Sequence, residues 1–220
     1  EILSGLVGSE MCIRDRVQVF RKEFPKVRIA LQQSTPEHIA EWVLSGKADI
    51  GIATEGLSQF EDLVSFPCYR WHHSVVVPDG HPLLEKKLIT LADLAQYSLI
   101  TYDLGFTGRG HIDDAFKQAD ITTDIVLTAM DSDVIQQYVL LNLGVGIVAS
   151  MALQQNGSNG LKVIDASHLF AQNVTRLAVR RGAYLRQYTY DFIQQFAPEL
   201  TRADICLLYT SPSPRDQRGS

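Results

Sequence analysis

Three short stretches set hydroxyls, glycines and one arginine where an anion could be held: "QSTPE" at 33–37, "ATEG" at 53–56 and "GFTGRG" at 105–110. Ser34, Thr35, Thr54, Thr107 and Gly108 supply O–H and N–H donors, and Arg109 adds a positive charge. Each stretch follows a run of apolar, β-forming residues, and the first and third lead into a helical pattern. The carboxyl ends of parallel strands and the amino ends of helices are where open α/β sheets hold ligands, and such sites bind oxyanions without a formal countercharge. The same hydroxyls also serve as ordinary helix caps, and spacing alone leaves both uses open. Glu37 lies close by and would repel an anion unless its side chain points away.

No catalytic constellation accompanies these donors. His72 and His73 are neighbours in a β-rich run and point to opposite faces, so they cannot share one metal or one relay. His38, His81, His111 and His168 lack ligand-like spacing, and no Gly-x-Ser-x-Gly elbow occurs. The carboxylate pairs Asp113/Asp114 and Asp131/Asp133 suit a helix surface and a helix start better than acid–base work. "GVG" at 144–146 ends a helix and enters a strand, the reverse of a dinucleotide-binding turn, so a helix C-cap is expected there. No metal, no cofactor and no catalytic residue is expected.

The elements that would position the donors alternate. A helix ending near Glu23, a strand at 27–31, a helix at 36–45 and a strand at 49–53 form a β-α-β unit, which predicts parallel strands. Two β-rich runs follow at 63–69 and 72–77, closed by the Pro78-Asp79-Gly80 turn. Beyond them the pattern predicts a short helix from Thr90, a strand at 98–102, a helix after the "GFTGRG" loop, a strand at 123–128, and a helix opened by Asp131. Then come strands near 146–150, 161–164 and 174–180, and a last helix at 184–196. Such alternation argues for an α/β fold with parallel sheets. The 220 residues are 45% hydrophobic with a net charge of −5, which supports a packed core and argues against a nucleic-acid or anionic-membrane surface. No apolar run is long enough to span a bilayer.

Cys12, Cys68 and Cys206 are an odd, widely spaced set without a Cys-x-x-Cys pair, so no disulfide framework is expected. The two ends carry a different signal. "LVGSEMCIRD" and "CLLYTSPSPRD" are codable by opposite strands of one DNA word that resembles a transposase-type sequencing adapter. Residues 1–16 and 205–220 are therefore expected to be non-native adapter translation rather than genuine tails, with the biological segment at 17–204.

Four stretches carry a family likeness: "FPKVRIALQQSTPEHIAEWVLSGKADIGIATEG", "HPLLEKKLITLADLAQYSLITYDLGFTGR", "DSDVIQQYVLLNLGVGIVASMAL" and "YDFIQQFAPELTR". Together they resemble the effector-binding domain of LysR-type transcriptional regulators, in the branch of cysteine-regulon activators of the CysB and Cbl type. The resemblance implies a periplasmic-binding-protein-like (type II) fold, with two α/β lobes joined by crossing strands and the effector in the cleft. Lobe I would be about 17–70 plus 181–204, and lobe II about 71–180. It implies a cytoplasmic activator of sulfur assimilation that senses a small effector: sulfate, thiosulfate, an acetylserine or adenylylsulfate.

Carried over by position, Thr54 and Thr107 match anion-contacting threonines, with Ser34 and Thr35 at the neighbouring helix start. The family forms homotetramers and reaches promoter DNA through an N-terminal helix-turn-helix that is absent here. The first strand of its lobe I sheet is also absent, so the domain is expected to be N-terminally truncated. A solute-binding protein for anion uptake shares this fold and stands as the alternative; an enzyme on it would need a nucleophile or metal set that the sequence lacks.

Overall fold

The computed structural model describes residues 10–54, 56–106, 108–153 and 160–210. Among the described residues two compact units emerge, one formed by Cys12–Tyr69 together with 174–210, the other mainly by Arg70–Asn173. The chain passes between them twice, inside strands β2 (Leu63–Trp71) and β8 (Asn173–Arg180). The second crossing precedes the expected boundary near 180. Most of β8 belongs to the first unit because it pairs antiparallel with β1 (Gly51–Thr54), Thr54 opposite Thr175 and Gly51 opposite Ala178.

The first unit holds a three-stranded sheet in the order β1-β8-β2. Helix α2 (Pro36–Leu44) has Thr35 as its N-cap and proline in its first turn, and it buries Pro36, Ile39, Ala40 and Val43 on one face. That face lies on β1 so closely that a Cβ on Gly51 would stand 2.7 Å from the Ile39 Cγ2 methyl. The core beyond the sheet is aromatic. Phe20 of α1 (Glu10–Glu23) meets Phe192 of α6 (Gln187–Phe196) edge-on at 5.1 Å, and Phe196, Phe66, Ile193 and Ile205 are fully buried around them. Ile205 lies on the terminal helix α7 (Arg202–Thr210), which sequence patterning did not predict.

Residues 27–31, expected as a strand parallel to β1, are not in one. Leu31 is half exposed, and no described strand pairs with the segment. β1 is antiparallel to the strand it does pair with. A strand is a property of two partners, and alternating apolar residues alone do not make one.

The second unit is a five-stranded sheet in the order β5-β4-β6-β3-β7, comprising β5 (Ile125–Ala129), β4 (Leu99–Tyr102), β6 (Val145–Ala149), β3 (His73–Pro78) and β7 (Leu161–Asp165). β4 runs parallel to both β5 and β6, whereas β3 is antiparallel to β6 and β7. Helices α3 (Leu91–Leu94) and α4 (Arg109–Gln118) contribute Leu94, Ile112 and Phe116 to a core with Val75, Val77, Leu99 and Ile147. Short 3-10 turns at Leu57–Gln59, Pro82–Glu85 and Ser150–Ala152 complete the connections.

Helix α5 (Ser132–Leu140) opens on Asp131, whose carboxylate accepts from the Val134 N–H at 2.9 Å. Its end corrects the expected glycine cap. The left-handed residue is Asn142 (φ 57°), and the Leu143 and Asn142 N–H groups donate to the Tyr138 and Val139 carbonyls in a Schellman motif. Gly144 and Gly146 are needed for closeness instead. A Cβ on Gly144 would press into the Ser98 carbonyl, and one on Gly146 would lie 2.8 Å from the Val139 Cγ2 methyl and nearer still to Val76.

Gly146→Val forces side chains into a filled layer and is expected to cost about 1–3 kcal/mol, read as a lower urea midpoint at unchanged m-value. A midpoint equal to that of the parent chain would show that the α5–sheet layer has room.

Candidate functional site

The first unit brings two of the three donor stretches together. Thr54 ends β1 at its carboxyl end, and Gly56, two residues on, packs against the ring of Pro36, with 3.0 Å from a Cβ built at Gly56 to the Pro36 Cβ. The start of α2 therefore sits beside the end of β1. Ser34 and Thr35 are already engaged there: the His38 N–H donates to Thr35 Oγ1 at 3.4 Å, and Ser34 Oγ lies 3.1 Å from His38 Nδ1. Thr35 thus acts as a cap. Thr54 differs, being 8% exposed with a side-chain hydroxyl that has no hydrogen-bond partner among the described residues. Glu37 is exposed in the first turn of α2.

In the second unit the loop after β4 leads into α4, with Gly108 (φ 66°) as the N-cap. Thr107 lies outside the described residues. Arg109 is nearly buried and already paired: its Nε donates to Asp113 Oδ1 at 2.7 Å and its Nη1 to the Tyr102 carbonyl at 2.7 Å. The sequence reading gave Arg109 to the ligand, whereas the structure uses it to tie the first turn of α4 to the end of β4. The Tyr102 ring continues the same tie, its hydroxyl oxygen accepting from the Ala149 N–H at 3.0 Å. Burial keeps that phenol protonated far above its ordinary range.

Sequence reasoning missed Asn173 and set His73 aside. Both are fully buried, and the Asn173 amide donates to His73 Nδ1 at 3.4 Å. The sequence offers only a polar residue opening the β-rich run "NVTRLAV". No group of three His, Cys, Asp or Glu side chains that could hold a metal occurs among the described residues. Burial pushes the Cys68 thiol up to about 11, so it is no nucleophile at neutral pH. No described helix is long and apolar enough to cross a membrane.

The profile for the LysR substrate binding domain matches residues 8–201. The chain belongs to that family. It is 51% identical to the HTH-type transcriptional regulator SsuR of Burkholderia cenocepacia over 189 residues, 86% of this chain and 61% of the relative. It is also 51% identical to the HTH-type transcriptional regulator CysB of the same organism over 183 residues, 83% of this chain and 58% of the relative. The crystal structure of the cofactor-binding domain of the Cbl transcriptional regulator superposes with a TM-score of 0.88 at 41% identity, covering 96% of this chain and 94% of that one.

The chain thus spans about three fifths of the curated relatives it matches, in the region of their effector-binding domain. The fold is the periplasmic-binding-protein-like type II arrangement of α/β units, and the relatives are named as transcriptional regulators, not enzymes.

Two outcomes test the local chemistry. Arg109→Met strands the Tyr102 carbonyl and the Asp113 carboxylate, and should cost about 1.5–3 kcal/mol by denaturant melt. Asp113→Asn, at a partner whose side chain is 40% exposed, should cost less than about 1 kcal/mol; equal losses would remove the anchoring role. Because alkylation needs the thiolate and burial favours the thiol, iodoacetamide at pH 8 should label Cys68 about two orders of magnitude more slowly in the folded chain than in urea. Peptide mapping reads that ratio, and equal rates would contradict the shielding.

Proposed function

We propose that this chain is the effector-sensing domain of a transcriptional activator of sulfur assimilation and cysteine biosynthesis. Its effector is a small sulfur-containing anion (sulfate or thiosulfate) or an acetylserine. The observation that carries the reading is Thr54, a largely buried residue at a strand's carboxyl end whose hydroxyl has no partner among the described residues, within a chain 51% identical to regulators named SsuR and CysB. A hydroxyl not spent on the fold is free to donate to a ligand, and an oxyanion supplies the acceptor. In the second unit, Thr107 and the Gly108 backbone are the donors offered to an anion. Ser34 and Thr35 act one step back by holding the start of α2, and Arg109 holds the start of α4. No cofactor takes part.

Effector binding shifts the population of conformations of the domain. In the cytoplasmic whole protein, a homotetramer, that shift repositions DNA-binding helices that lie outside this chain. Ligand occupancy would thereby be coupled to promoter binding. The relatives' names favour this reading over a solute-binding protein for anion uptake.

Thr54→Val and Thr107→Val each keep the shape and remove one O–H donor. Each should weaken sulfate or thiosulfate binding by about tenfold, the worth of one hydrogen bond to a charged group, measured by titration calorimetry. Unchanged affinity in both variants would remove the site.

A further inference from the structure

We propose that Asn173 is a positioning residue for the anion-binding loop: its buried carboxamide sets the conformation of Gly108 and so aims the donors at the start of α4. This rests on the effector-binding reading above. Three observations converge on the contact. Gly108 caps α4 from the left-handed region (φ 66°) with no side chain to cap for it, so its conformation must be imposed from outside. The Asn173 carboxamide fills the place a side chain at 108 would take: a Cβ there would stand 2.7 Å from Asn173 Cγ and closer still to Oδ1. Asn173 Oδ1 is a buried acceptor without a hydrogen-bond partner among the described residues, so it faces the Gly108 backbone with nothing else to satisfy it.

The carboxamide is itself held. Its amide nitrogen is a donor only, so the 3.4 Å contact makes His73 Nδ1 the acceptor and leaves the imidazole proton on Nε2. The His73 ring is fixed in turn by Trp71 at 5.1 Å and Phe170 at 5.6 Å, both near edge-on. Asn173 therefore reaches Gly108 from a frame of packed rings at the end of β2, the start of β3 and the segment before β8. The residue touches loop backbone and its effect on the ligand runs through Gly108.

The test is a double-mutant cycle in the 220-residue chain, with sulfate, thiosulfate and O-acetylserine as probes in calorimetry and the backbone amide resonances of 105–110 followed by NMR. Gly108→Ala meets Asn173 and should lose about tenfold in affinity, whereas in an Asn173→Ala background the same change should lose no more than about threefold, because the obstacle is gone. Asn173→Ala alone should move the loop amides and weaken binding several-fold while the thermal midpoint stays within a few degrees.

Equal losses from Gly108→Ala in both backgrounds, or loop amides unmoved by Asn173→Ala, would overturn the proposal. If Gly108→Ala does not fold, Asn173→Ala decides alone, and parental affinity with parental amide shifts would overturn it. If the parent chain binds none of the three probes, the effector reading falls, and the amide shifts still decide whether Asn173 sets the loop.

Discussion

The tie at Tyr102 is the constraint on which the second unit's functional end depends. Its carbonyl takes the Arg109 guanidinium and its hydroxyl takes the Ala149 N–H, so one residue fixes the start of α4 and the end of β6 to the end of β4. Each of these groups would otherwise be a buried polar atom in need of water. Burial keeps the Tyr102 phenol protonated, so its part of the joint stays neutral across the physiological range.

The first unit solves the same problem with less polar material. Its hydroxyls at the start of α2 and the end of β1 divide into those spent on the fold and one that is not: Ser34 and Thr35 are occupied with His38, while Thr54 is left over. Selection among chemically similar residues is thus made by local hydrogen bonding, and a residue's type says little about which use wins. Behind them, the aromatic cluster of Phe20, Phe66, Phe192 and Phe196 supplies rigidity through packing.

Much of the architecture was legible in the sequence because its signals are local. The Thr-Pro start of α2, the Asp131 cap of α5 and the Pro-Asp-Gly turn after β3 are decided within a few residues. What was not legible depends on partners far along the chain. Residues 27–31 have the pattern of a strand without a paired neighbour, and β8 joined the first unit because β1 is there to receive it. Arg109 looked available because its acceptor, the Tyr102 carbonyl, is a backbone atom that no motif announces. Asn173 escaped notice for a similar reason, since its contact is with a glycine's missing side chain.

The two passages of the chain between units also bear on how the molecule assembles. The first unit is split around the long stretch Arg70–Asn173 of the second, and β8 must find β1 across roughly 120 intervening residues, a costly ring to close in an unfolded chain. β2 leads into that stretch and β8 leads out of it, and the two are neighbours in one sheet. Once the middle stretch has folded, the effective ring is shortened to little more than residues 55–69. The order of events this favours is inside first: the inserted unit acts as the clamp that lets the divided one close.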